Sequence, residues 1–288
     1  MAGTLTDHIK KLKKKDLTQK FQIRNIDFIY CINLDRRPER LRHCNQQFSV
    51  YDIIPHRVPG INGWSYTQDV FNDIAMILLP YMEYDRPVHF RFVPMGIRGE
   101  FIKESSYGRP CVHEGSPAGG LGGAMTHLSI LEDARLSKYK VIWILEDDFT
   151  IKHNPHILAD FIDQLDQLDP NWDVLYTDDD AYFSSNDVSA HYNGDKWLKP
   201  GLPMTKNVTE RTALGENFFK IGGRTQAHSV IYSYRGIEKI ANYLKRERFF
   251  LPYDTEIPCV PDIRIYNLKY DIVHGRDRHF SDTSHYWM

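Results

Sequence analysis

Short apolar runs alternate with amphipathic segments along most of the chain. The segment IDFIYCINL, residues 26–34, is rich in β-branched and aromatic residues and is typical of a buried strand. In HILADFIDQLDQL, residues 156–168, apolar positions recur at helical spacing and predict an amphipathic helix. Further strands are predicted within 53–63, 140–149, 172–180 and 227–233, and further helices within 35–48, 124–136 and 236–244. This alternation indicates an α/β domain with a mostly parallel sheet flanked by helices.

Two local signals predict where helices begin. Asp35 follows the first strand and is a suitable N-cap, so the first helix is expected directly after it. Glycine is a poor helix former, so the glycine-rich stretch 119–123 predicts that the next helix begins near Ala124.

The chain shows no internal repeat and no low-complexity linker. Prolines and glycines interrupt residues 64–118, which are expected to form an insertion with short helices. Residues 182–215 are expected to form a polar loop. We therefore expect a basic N-terminal arm over 1–22 and a single domain over 23–288.

Charge and cysteine content narrow the cellular context. The net charge of -2 gives no general attraction to nucleic acid, and no apolar run approaches the ~18 residues of a membrane span. The four cysteines show no disulfide pattern, so we expect a cytoplasmic protein. The basic stretch HIKKLKKKDLTQK, residues 8–20, is either a solvated helix or a peripheral contact with an acidic membrane surface.

Three acids stand together where a predicted strand ends, in the stretch VIWILEDDF. In an extended chain Glu146 and Asp148 point to one face and Asp147 to the other. Carboxylates of this kind suit Mg²⁺ or Mn²⁺, although acid-rich turns are also common without a metal. A second cluster, residues 178–180, follows another predicted strand and competes as the metal site.

Several motifs occur in a fixed order along the chain. They are INLDRRPERL, VPGING, GGLGGAMTHL, ILEDDF, SVIYSYRGIEKI, PYD at 252–254 and SDT at 281–283. Together they resemble glycosyltransferase family 25, which contains bacterial lipooligosaccharide galactosyltransferases and procollagen galactosyltransferases. In the glycine motif Gly119, Gly122, Ala124 and His127 match the family pattern. At 120, 123 and 126 this chain has Gly, Gly and Thr where the family has an acid, a cysteine and a serine.

The resemblance implies a GT-A-like, Rossmann-type fold, a UDP-sugar donor, a divalent metal (Mn²⁺ or Mg²⁺) and inversion at the sugar carbon. Asp148 and Glu146 are the expected metal ligands. The expected donor-binding residues are Asn33, Leu34, Arg36, Arg40, Asn62, Gly63, Gly122, His127, Glu146 and Asp147. His274, Arg276, Arg278 and His279 in the tail are candidates for contacts with the diphosphate.

An inverting transfer needs a carboxylate that takes the proton of the acceptor hydroxyl. Asp254 is the first candidate, with Asp180 and Glu256 in reserve. Asp254 could equally cap a short helix, and Glu256 could lie on the surface.

The sequence leaves several alternatives open. The altered glycine motif is compatible with a catalytically inactive relative that serves as a binding or scaffold protein. A nucleotidyltransferase also needs paired acids, but it usually carries a glycine- and lysine-rich phosphate loop, which does not follow the first strand here. The transferred hexose, galactose or glucose, is undetermined. The acceptor could be a glycan, as in lipopolysaccharide biosynthesis, a lipid-linked glycan or a protein hydroxyl.

Overall fold

A computed structural model of the chain describes residues 3–12, 22–82, 90–92, 98–99, 106–179, 199–201 and 208–275. Its main sheet has eight strands. They are β1 Phe28–Asn33, β2 His56–Pro59, β7 Val141–Glu146, β9 Val174–Tyr176, β10 Arg211–Leu214, β11 Phe218–Ile221, β12 Ser229–Ser233 and β13 Ile265–Leu268.

The order across the main sheet is β10-β11-β13-β9-β12-β7-β1-β2. β1 pairs in parallel with β2 and β7, and β13 pairs in parallel with β9. β12 is antiparallel to both of its neighbours, and β11 is antiparallel to β10 and β13. Two of the eight described strands therefore oppose the other six, and the prediction of an α/β sheet flanked by helices is confirmed in a mixed form.

Helices cover both faces of this sheet. Their bounds are α1 Pro38–Ser49, α2 Gln68–Ile74, α3 Ala118–Leu136, α4 Leu158–Leu168, α5 Tyr234–Glu247 and α6 Tyr253–Glu256. Along β1, Tyr30 joins the apolar core beneath α3 and α5, whereas Cys31 joins the core beneath α1 and α4. This alternation follows from the two-residue period of a strand and explains why the central strands are apolar on both faces.

Two small sheets complete the described structure. β3 Met76–Ile77, β4 Phe90–Phe92, β5 Arg98–Gly99 and β6 Pro110–His113 form a four-stranded sheet in the order β3-β6-β4-β5. The segment predicted as an insertion with short helices therefore also contains an antiparallel sheet. β8 Phe149–Ile151 pairs with β14 Val273–Gly275, which brings the end of the described chain beside the acids that precede β8.

Both helix-start predictions were wrong. The first helix begins at Pro38, and Asp35 instead contacts Arg57 through its carboxylate. The helix with the glycine motif begins at Ala118, so residues 119–123 are helical. Packing against neighbouring elements outweighs the low helix propensity of glycine here, which costs only ~1 kcal/mol per residue.

Among the described residues, no helix combines the length and apolar character needed to cross a bilayer. All four cysteines are free thiols.

Candidate active site

The topology gathers polar side chains at one edge of the main sheet. The carboxyl ends of β1, β7 and β9 lie at this edge and carry Asn33, Glu146 and Asp178. Because β12 runs the opposite way, its amino end lies at the same edge and places His228 there. Ligands of α/β sheets bind at such an edge.

The three acids after β7 have three different environments. Glu146 Oε1 lies 3.0 Å from Nε2 of His127. Asp147 is buried, accepts a 2.6 Å hydrogen bond from Asn33 Nδ2 and lies 3.2 Å from Arg40 NH1. Asp148 Oδ1 is buried and has no hydrogen-bond partner among the described residues.

These environments shift the pKa values of the acids in different directions. Burial raises the pKa of Asp148 to about 7, and the neighbouring charge of Glu146 adds to the rise. Burial is the largest single influence on Glu146 and opposes its ionisation, but the hydrogen bond with His127 and the charges of His127 and His228 together outweigh it and lower the pKa of Glu146. An unpartnered buried carboxylate is costly, and a bound cation would remove that cost. Asp148, with Glu146 beside it, therefore fits a hard divalent cation.

His127 lies on α3 and is almost fully buried. Its ring stacks on Tyr253, with centroids 4.2 Å apart and planes 18° apart. The stacking and the contact with Glu146 fix the imidazole beneath the acids. His127 thus orients Glu146, and it also lines the cleft described below.

Two clefts meet at the acids. The first cleft is lined by Ile32, Leu34, Arg36, Arg40, Gly60, Ile61, Asn62, Gly63, Trp64, Gly119, Gly123, Thr126, Glu146, Asp147 and Asp148. It contains most of the residues predicted to bind the donor. Asn33 lies behind this wall, where it holds Asp147 and accepts a 3.0 Å hydrogen bond from Nε of Arg57.

Gly63 and Gly122 let the turn after β2 lie directly against α3. A Cβ added at Gly63 would lie 1.8 Å from the carbonyl oxygen of Ala118, and one at Gly122 would lie 2.4 Å from that of Ile61. No side chain fits at either position without moving backbone. Gly122, predicted to bind the donor, therefore supports the turn from behind and is not among the residues that line the first cleft.

The second cleft has a volume of about 360 Å³ and is also bordered by Glu146 and Asp148. It shares Gly123, Glu146 and Asp148 with the first cleft. Asp254 on α6 lines it and accepts hydrogen bonds from the backbone N–H of Gln226, at 2.6 Å, and of Thr255, at 2.9 Å. Burial raises the pKa of Asp254, which favours a carboxyl group able to take up a proton.

The competing acid cluster is divided among other partners. Asp178 is buried and accepts two 2.9 Å hydrogen bonds from the guanidinium of Arg224. Ligand atoms of Asp179, Asp271 and His274 lie within 4.8 Å of one another, close enough to hold a metal ion, so this group is a second candidate metal site. None of these residues lines the two clefts. Asp180, a reserve base, lies outside the described residues, as do Arg276, Arg278 and His279.

Glu256, the other reserve base, is not brought to either cleft. It is fully buried and lies 2.9 Å from Nζ of Lys199, itself buried. Its Oε1 also accepts hydrogen bonds from the backbone N–H of Phe250, at 2.6 Å, and of Leu251, at 2.8 Å. The carboxylate is thus saturated by structural partners and ties α6 to the loop before it.

Glu256→Gln is expected to lower the free energy of unfolding by about 3 kcal/mol, since it leaves the Lys199 charge buried without its partner. Urea unfolding would measure the loss. Glu216→Gln, at an exposed position, is the matched control and should change it by less than about 0.5 kcal/mol. Equal effects of the two substitutions would contradict the structural role of Glu256.

Sequence reasoning missed four residues of this site. Trp64 lines the first cleft, and Tyr253 and His228 line the second. Arg57 supports Asn33 from the neighbouring strand. The only sequence signal was indirect: Trp64 follows the Asn-Gly turn, and Tyr253 precedes Asp254. Nothing local to His228 indicates a site, because its position depends on the reversed direction of β12.

The fold and clefts define an α/β protein with an acid-bearing site at the carboxyl edge of its sheet. A protein named Glycosyltransferase 25 family member from Drosophila melanogaster is 32% identical over 98 residues, which is 34% of this chain and 15% of the fly protein. One of the same name from Aedes aegypti is 26% identical over 154 residues, covering 52% of this chain and 21% of the mosquito protein. A third, from Drosophila pseudoobscura pseudoobscura, is 26% identical over 153 residues, covering 52% and 20%. These similarities relate the chain to glycosyltransferase family 25.

The matched regions span only about one fifth or less of the relatives' own length. No protein-family model matches the chain.

Proposed function

We propose that the chain is an inverting, metal-dependent glycosyltransferase that moves galactose or glucose from a UDP-sugar to a hydroxyl of a glycan, lipid-linked or protein acceptor. The family relationship supports a glycosyltransferase in general terms. The observation that carries the finer proposal is the position of Glu146 and Asp148 on the shared wall of two clefts. A sugar nucleotide has its diphosphate between nucleoside and sugar, and this arrangement matches that order.

In this proposal the first cleft holds the nucleoside. Leu34 and Trp64 offer apolar and aromatic surface to a base, and the Asn62–Gly63 turn forms the adjacent wall. Arg36 and Arg40 line the same cleft, and a guanidinium pairs well with phosphate. Arg40 already contacts Asp147, so its head lies close to the acids.

The acids would hold the metal, Mn²⁺ or Mg²⁺, through Asp148 with Glu146 beside it. When bound there, the cation supplies Lewis-acid stabilisation to the diphosphate leaving group. His127 fixes Glu146, and Asn33 with Arg40 fixes Asp147, so the acidic turn is already ordered before ligands arrive.

The second cleft would hold the sugar and the acceptor. Asp254 lines this cleft together with the glycine-rich start of α3, and it would take the proton of the attacking hydroxyl. Its two backbone hydrogen bonds hold the carboxylate in place without a neutralising cation, which keeps it available as a base.

The proposal is tested by calorimetric titration of UDP into the purified chain with and without Mn²⁺. Binding that requires Mn²⁺, followed by UDP release from UDP-galactose or UDP-glucose, is the expected result. Mn²⁺-dependent UDP binding without UDP release from either sugar nucleotide would favour the inactive relative. That alternative has one specific support: Gly120 and Gly123, which depart from the family motif, both line the second cleft. Absence of UDP binding under both conditions would overturn the UDP-sugar assignment.

A further inference from the structure

Residues 3–12 form a strap that is packed against the domain. The strap contains a short 3₁₀ helix, Leu5–His8, and Leu5 is 2% exposed in the core beneath α3 and α5. Nε2 of His8 lies 2.8 Å from Oδ2 of Asp73 on α2. One apolar contact and one polar contact therefore fix where the last residues of the strap lie.

Lys10 connects the strap to two different elements of the domain. Its backbone N–H donates a 3.0 Å hydrogen bond to Oγ of Ser129 on α3. Its ammonium Nζ donates a hydrogen bond, also of 3.0 Å, to the carbonyl oxygen of Pro59, the last residue of β2. Because the main-chain bond fixes the base of the side chain, the ammonium is held at the end of β2.

The peptide group between Pro59 and Gly60 is held from both sides. The N–H of Gly60 donates a 3.0 Å hydrogen bond to the carbonyl oxygen of Asn33 on the neighbouring strand β1. In a trans peptide group the N–H and the C=O point in opposite directions, so the Pro59 carbonyl points away from β1. Among the described strands β2 is the last of the main sheet, and Lys10 supplies the donor that a further strand would otherwise provide.

This peptide group leads into the turn that lines the first cleft. Residues 60–64 all border that cleft. The turn is also bonded to α3, because the N–H of Ile61 donates a 2.9 Å hydrogen bond to Oγ1 of Thr126. The turn is thus fastened to α3 by Thr126 and to the strap by Lys10.

Asn33 links the same peptide group to the acids. Its carbonyl oxygen accepts the N–H of Gly60, while its side chain donates to Asp147. The position of the strap is therefore transmitted, through one peptide group, to the wall of the first cleft and to the end of β1.

We propose that Lys10 is a positioning residue for nucleotide binding, whose ammonium holds the peptide group at 59–60 so that the turn at 60–64 is preset to receive the nucleoside. The inference rests on the proposed function, because it requires a nucleotide in the first cleft. A preset wall raises affinity, since the turn does not have to be ordered when the nucleotide binds.

Lys10→Met tests this role in the full chain. Methionine keeps an apolar stem and the backbone N–H but lacks the ammonium. The Kd of UDP in the presence of Mn²⁺ should rise about fivefold, as calorimetry would measure. Lys11→Met is the matched control, because Lys11 is exposed and its replacement changes the net charge equally. In the control the Kd should stay within about twofold of the wild type.

Two further measurements distinguish positioning from a general loss of stability. In Lys10→Met the amide hydrogen of Ile61 should exchange faster with solvent, while amides in the middle of α3 and α5 should exchange as in the wild type. With UDP-galactose or UDP-glucose, KM should rise by about the same factor as the Kd of UDP, and kcat should stay within about twofold. The turn contacts the nucleoside equally in the ground state and in the transition state, so its displacement removes uniform binding.

The outcomes separate this inference from the proposed function. If the wild type does not bind UDP, the UDP-sugar proposal fails and this inference fails with it. If UDP binds, but its Kd changes by less than about twofold in Lys10→Met or changes equally in Lys11→Met, the positioning role is overturned while the donor site stands. Exchange of the Ile61 amide at the wild-type rate, or a fall in kcat at unchanged KM, would overturn the role as well.

Discussion

Asp148→Asn is expected to abolish the Mn²⁺-dependent part of UDP binding, with a rise in Kd of at least about 100-fold, the upper range for disturbed metal sites. Asp148 Oδ1 is buried and has no hydrogen-bond partner among the described residues, so we expect the cation to be its partner. Calorimetry at fixed Mn²⁺ concentration would measure the change. Asparagine has the same shape but no charge, and the substitution removes a buried charge that the metal-free protein leaves uncompensated.

The stability of the metal-free variant distinguishes a metal ligand from a residue that stabilises the fold. Without metal, the melting temperature of Asp148→Asn should equal or exceed that of the wild type. Asp262→Asn is the matched control: Asp262 is exposed, and its φ of 52° is one that asparagine also adopts. If UDP affinity with Mn²⁺ survives in Asp148→Asn, the metal assignment is wrong.

Asp254→Asn is expected to lower the rate of UDP release from UDP-galactose or UDP-glucose by about 10²–10⁴-fold, the usual contribution of a general base. An amide cannot take the proton of an attacking hydroxyl. Affinity for UDP with Mn²⁺ should remain within a few-fold, because Asp254 lines the second cleft and not the first. Steady-state kinetics together with calorimetry would separate the two effects.

The asparagine in Asp254→Asn is also expected to affect stability, which the melting temperature measures. Both oxygens of Asp254 accept backbone N–H groups, and the asparagine NH₂ would face one of these donors. A melting temperature a few degrees lower is therefore expected and does not by itself explain a rate loss of a hundredfold. A rate within threefold of the wild type would remove Asp254 as the base.

The sequence predicted the central part of the fold well. The strands that carry Asn33 and Glu146 were identified because they are apolar on both faces and end abruptly in polar residues. Side chains at the carboxyl ends of parallel strands are close neighbours whatever the loops do. Most of the donor-binding residues that the family resemblance implies near these strand ends, such as Leu34 and Arg40, line one cleft.

The remaining features depend on contacts between distant parts of the chain. Asp178 resembled a metal ligand, but its partner Arg224 lies 46 positions away. Glu256 resembled a reserve base, and its partner Lys199 is 57 positions away. Gly122 is a third example. The space that a side chain at this position would occupy is filled by the backbone of the turn at 61–63. Short sequence patterns carry no information about partners that are distant along the chain.

The space next to Gly123 on α3 is empty, so a side chain can be introduced at this position. A Cβ at this position would meet nothing within 4 Å, although the residue borders both clefts. Alanine there would favour the helix by up to ~1 kcal/mol, and larger side chains would extend into the passage between the clefts. Under the proposed function, side chains of increasing size at position 123 are expected to restrict the size of the substrates that the two clefts accept.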